Sequence, residues 1–136
     1  MIGDLHRALV ARARAEGWQT GSWKDVLERR LRLQPWSRWD RDFVHWIRPF
    51  RIIPDAFRFQ VGRSDPDCDW LLTTQLLEVE VTHQISPRKL AQYRDLWLHF
   101  DCASLLNLEV FQMDRFGVVR PLMNMEIYCE RKVGIP

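Results

Sequence analysis

Apolar residues recur at helical spacing in the first part of the chain and at strand spacing beyond residue 50. Leu5, Leu9, Val10 and Ala13 make a stripe with the three- and four-residue steps of an amphipathic helix over residues 4–16, which Gly17 ends. Ser22-Trp23-Lys24-Asp25 has the form of a capping box, with Ser22 as N-cap and Asp25 reaching back, and it opens a second helix through about Leu33 that Pro35 stops. Between Trp36 and Pro49 the tryptophans and Phe43 mix with arginines and aspartates, a pattern that fits either a short helix or an ordered loop.

From Arg51 the period changes. Ile52 to Gln60 is a β-rich run, Gly62 to Asp69 has the glycine, serine, proline and aspartates of a turn, and Trp70 to Val81 is a second, longer strand. Ser86-Pro87 then starts a helix, serine at the N-cap and proline at the first helical position, with Leu90, Tyr93, Leu96, Trp97 and Phe100 as its buried stripe and an end near Asp101. Leu105 to Met113 and Val118 to Cys129 alternate as a hairpin around Asp114-Arg115-Phe116-Gly117. The order predicts an α/β (α+β) domain with a single mixed four-stranded sheet flanked by helices. With 136 residues and 46% hydrophobic content, we expect one domain, its N-terminal helices within 1–50 and a strand-strand-helix-strand-strand core over 51–130.

No apolar run approaches membrane-spanning length and the N-terminal residues lack the apolar stretch of a signal peptide, so a cytoplasmic protein with no membrane partner is expected. Cys68, Cys102 and Cys129 are odd in number and widely spaced, which points to neither a disulfide framework nor a structural zinc site. The net charge of +2 is uneven: residues 1–63 carry 13 positive and 7 negative side chains, residues 64–136 carry 7 and 11. Arginine dominates the cations, and its planar fork suits phosphate, so a polyanion such as DNA is an expected partner; a solvated arginine-rich helix surface has the same composition.

The candidate chemistry lies in carboxylates. Alternate strand residues share a face, so Glu78 and Glu80 project together, and Asp55 on a neighbouring strand can join them. Mg²⁺ is a hard ion that takes one or two protein carboxylates and substrate phosphate, and needs no His or Cys. Lys89 falls on the first turn of the helix after these strands, with Gln92 and Tyr93 three and four residues later on the same side. Taken singly, Pro-Asp and Glu-Val-Glu-Val are also what strand edges and half-exposed strands contain.

Pro54-Asp55-Ala56, Leu77-Glu78-Val79-Glu80-Val81-Thr82 and Arg88-Lys89-Leu90-Ala91-Gln92-Tyr93, in this order of helix, strand, strand, helix and strand, resemble the PD-(D/E)XK superfamily of restriction-endonuclease-like nucleases, replication-relaxation and mobile-element members above all. The resemblance covers roughly residues 20–113 and rests on short motifs. It implies Asp55 and Glu78 as ligands of Mg²⁺ (or Mn²⁺) and metal-dependent hydrolysis of DNA phosphodiester bonds. The family pattern expects a lysine at position 80, where this chain has Glu80; some members supply that cation from the following helix, which assigns it to Lys89, leaves Glu80 as a third ligand, and gives Gln92 and Tyr93 the orientation of the helix or a phosphate. Glu28 matches an additional acid that some members use. The alternative is an inactive nuclease fold that serves as a DNA-binding or protein-interaction module of a mobile element or phage.

Other motifs point less far. Asp65-Pro66-Asp67-Cys68-Asp69 starts like a calcium loop but lacks the glycine and closing glutamate, so a solvated turn is expected. His83, just past the acidic strand, is placed to touch a phosphate or act in proton transfer, although a lone histidine at a strand end is more often structural, and His6, His45 and His99 share no ligand spacing. The tryptophans among the arginines are expected chiefly as core filling, with base stacking the sharper alternative. An open edge at the terminal hairpin would permit a homodimer or a larger complex.

Overall fold

A computed structural model of the chain describes residues 2–33, 38–63, 70–82, 84–103 and 106–122. Its elements are α1 (Ile2–Ala15), α2 (Trp23–Leu33), α3 (Arg38–Ile47), β1 (Ala56–Arg63), β2 (Trp70–Val79), α4 (Pro87–Asp101), β3 (Leu106–Met113) and β4 (Val119–Pro121). The strands lie in the order β1-β2-β3-β4, with β1 antiparallel to β2, β2 parallel to β3 and β3 antiparallel to β4. This is the expected α+β architecture, one mixed four-stranded sheet with four helices among the described residues. The parallel pair requires a long crossover, and α4 is that crossover.

Both sheet faces are covered, which is why β2 is buried along Leu72–Val79 rather than alternating. On one face Phe57, Phe59, Leu72, Leu76, Leu106, Leu108, Val110 and Leu122 pack under α2, α3 and α4, which contribute Leu27, Leu31, Ile47, Tyr93, Leu96 and Phe100. Each fully buried leucine or isoleucine there stabilises the fold by about 1.5–3 kcal/mol. On the other face α1 presents Leu9 and Ala13 to Ala56, Leu77, Val79 and Met113, and Trp18 completes this smaller cluster. Trp18 and Trp23 are core residues as expected, whereas Trp46 is largely exposed.

Several boundaries differ from the reading of the sequence, among them the end of β2, which is Val79 rather than Val81. The open segment 36–49 contains helix α3. The run from Ile52 is not strand until Ala56: side chains of α2 tie down the chain as it enters, the Trp23 indole donating to Ile52 O at 3.1 Å and the Lys24 ammonium to the carbonyls of Arg48 and Phe50 just before it. Pro54 adds a position with no N–H to offer a ladder. At the other end β1 continues through Gly62 and Arg63. Of the expected last strand, β4 ends at Pro121; the part from Met123 to Cys129 lies outside the described residues, as do the turn 64–69 and His83.

Among the described residues no helix is long and apolar enough to cross a membrane.

Candidate active site

The site stands at one end of the sheet, where β1 begins and β2 finishes. Asp55 is delivered by the segment that α2 ties down: the charged Lys24 holds the carbonyls after α3, and burial, then the neighbouring Arg48 charge, lowers its pKa from the usual lysine range. Asp55 N donates to Leu77 O at 3.0 Å, and its own Oδ2 accepts from Val79 N at 2.7 Å. The carboxylate therefore replaces a missing backbone partner at the mouth of the β1–β2 ladder. Its other oxygen, Oδ1, lies 3.2 Å from His6 Nε2 on α1.

Glu78 is one step along β2 from that contact and is only 2% exposed. Two donors from α4 meet it. Lys89 Nζ is 2.8 Å from Oε2, and the Tyr93 hydroxyl donates to Oε1. Helical geometry explains the pairing, since residues four apart lie one above the other on a helix face. The first turn that carries Lys89 is itself fixed: Ser86 caps α4, its Oγ accepting from Lys89 N at 3.2 Å, with Pro87 at the start of the helix.

Electrostatics follow from this burial. Desolvation raises the Glu78 carboxyl above the ordinary carboxylate range; the hydrogen bonds from Lys89 and Tyr93 and the Lys89 charge oppose that shift, while Asp55 adds to it. Tyr93 is pushed far above the usual tyrosine range, by burial first and by the Glu78 charge second, so it is a donor at every working pH. The Lys89 ammonium is about a third exposed and presents its remaining donor capacity to solvent.

The structure thus brings together Asp55, Glu78, Lys89 and Tyr93. Gln92 is exposed on α4, beside the pair that reaches Glu78. Glu80 is half-buried just past β2, its N–H extending the ladder to Met113 O at 2.9 Å and its charge adding to the field on Tyr93. Glu28 stands apart: its carboxylate pairs with Arg32 and Arg48 on the α2–α3 surface. Among the described residues no group of three or more His, Cys, Asp or Glu side chains is gathered to hold a metal ion; the charge of Asp55 is felt at Glu78. Two carboxylates still match in kind and number what Mg²⁺ takes from a protein.

His6 was missed by spacing arguments among histidines. A signal was present on α1 itself: His6 continues the stripe of Leu9, Val10 and Ala13 at steps of three and four, which marks it as facing the sheet. No protein-family model matches the chain, and neither a curated protein nor a solved structure matches it.

Proposed function

We propose that the chain is a metal-dependent nuclease or nuclease-like protein that hydrolyses DNA phosphodiester bonds, with Asp55 and Glu78 as ligands of Mg²⁺ or Mn²⁺. The observation that carries this reading is the 2.8 Å contact between Lys89 Nζ and Glu78 Oε2, beside Asp55. It supplies from α4 the cation that the family pattern expects at position 80. Hard carboxylate oxygens just before β1 and on β2, one of them partly exposed, suit such an ion. When bound, the metal supplies Lewis-acid stabilisation of charge on a phosphate and a more acidic water.

The protein's own groups have defined tasks in this reading. Tyr93 holds one oxygen of Glu78 and sets the carboxylate's orientation. Lys89 opposes the burial that favours the protonated form of Glu78, and offers its exposed side to an incoming phosphate oxygen or an attacking water. The Val79 N–H and His6 hold Asp55 from two sides. The arginine-rich first half gives the DNA backbone a positive approach.

A second reading, a nucleic-acid-binding module without catalysis, is favoured by one observation: both oxygens of Glu78 are already bonded within the protein. Incubating supercoiled plasmid and labelled single strands with the protein in Mg²⁺, Mn²⁺ or EDTA separates the two, with Asp55→Asn as control. Cutting that needs metal and is lost in the variant supports the nuclease. A folded protein that shifts DNA without cutting it overturns the nuclease in favour of the module.

A further inference from the structure

The register of the sheet places two more polar side chains in line with the candidate site. Glu78 is paired with Gln112 on β3, and Gln112 with Arg120 on β4, while Asp55, just before β1, donates its N–H to Leu77 O beside Glu78. Glu78, Gln112 and Arg120 are therefore one transverse row across the sheet, with Asp55 next to its Glu78 end. The next row inward on the same face is Phe57, Leu76, Val110 and Leu122, all buried in the larger core. The polar row is the line along which that face leaves the core and meets solvent.

Gln112 is half-buried and Arg120 exposed, and with Asp114 and Val118 they line a hollow of about 130 Å³. Among the described residues neither side chain has a hydrogen-bond or ion-pair partner. Asp114 is occupied differently: its Oδ1 accepts from Phe116 N at 2.9 Å and Val118 N at 3.0 Å, closing the β3–β4 turn. A guanidinium and a carboxamide with unused donors stand at the far end of a row that begins at Glu78, where Asp55 adds a second carboxylate. Those carboxylates repel a nucleic-acid strand, and a planar cation beside them supplies the opposing attraction and a bidentate grip on phosphate.

We propose that Gln112 and Arg120 form a phosphate-binding subsite that holds the nucleic-acid backbone next to the bond facing Asp55 and Glu78. Two strand spacings, about 10 Å, separate the backbones of Arg120 and Glu78, so the phosphate on Arg120 is a neighbour of the reacting one. The subsite rests on the nucleic-acid reading above, but its own test is binding rather than cutting.

Labelled duplex and single-stranded oligonucleotides, titrated by fluorescence anisotropy in Ca²⁺ and in EDTA from about 50 to about 200 mM salt, provide that test. Arg120→Ala is expected to weaken binding about tenfold and to lower the slope of log K against log salt by about 0.9 on duplex or about 0.7 on single strands. Arg120→Lys should restore the slope, and Gln112→Ala should lose affinity with the slope unchanged, which a merely structural role would not produce. Wild-type affinity and slope in Arg120→Ala overturn the subsite and leave the nuclease reading standing. A wild-type protein that binds neither strand overturns both. The expected slope change in a protein that never cuts supports the subsite while overturning cleavage.

Discussion

Tyr93 donates its hydroxyl hydrogen to Glu78 across the α4–β2 contact, and both side chains are almost fully buried. The bond joins the helix to the strand at the point where the core gives way to the candidate site. Tyr93→Phe keeps the ring packing and removes one of the two donors to a buried carboxylate, so it is expected to cost about 1–3 kcal/mol. Urea unfolding reads this as a lower midpoint with the same m-value. An unchanged midpoint would show that the bond adds nothing to stability.

Glu78 also makes stability depend on pH. Burial, opposed by Lys89 and Tyr93, raises its folded-state pKa above that of the unfolded chain. The folded protein then binds the proton more tightly, and this contribution is fully present below about 4.3, the unfolded value, and lost as pH rises through the folded value. Metal-free wild type should therefore lose stability relative to Glu78→Gln as pH climbs from about 4 toward neutrality. Urea midpoints for both proteins in EDTA across that interval check this; parallel curves would rule it out.

Asp55 has a structural task beside any chemical one, because its Oδ2 satisfies Val79 N. Asp55→Asn retains an acceptor and should fold with nearly wild-type stability. Asp55→Ala leaves that N–H without its partner and should cost about 1–3 kcal/mol. Comparing the thermal unfolding of the two variants tests the difference, and it justifies Asn as the substitution for cleavage assays.

Thr74 lies in the middle of β2, paired with Phe59 and Leu108, and its buried Oγ1 has no hydrogen-bond partner among the described residues. Thr74→Val replaces the hydroxyl by a methyl group in an apolar setting and keeps the β-branch that suits a strand. It is expected to stabilise the protein by about 1 kcal/mol. A destabilised variant would mean that the hydroxyl is satisfied after all.

Local chemistry made the elements legible. Ser86 and Pro87 announce α4 because capping and a fixed φ act within one turn, and Gly17 ends α1 with a φ of 101° that other residues rarely adopt. The approach of Lys89 and Tyr93 to one side of α4 follows from their spacing of four, and Asp55 and Glu78 were visible as acids near the ends of neighbouring β-rich runs. The sequence did not show that Glu78 is buried, since Glu-Val-Glu-Val reads as a half-exposed strand until α4 covers that face. Nor did it show that Lys89 is the cation that meets Glu78, that Glu28 is spent on Arg32 and Arg48, or that His6 stands against Asp55. Strand register and helix docking settle those contacts, and they are decided by the packing of the whole core. Gln112 and Arg120 fall in line with Glu78 for the same reason: β2 and β3 pair residues 34 apart in the chain, a distance over which no local pattern carries information.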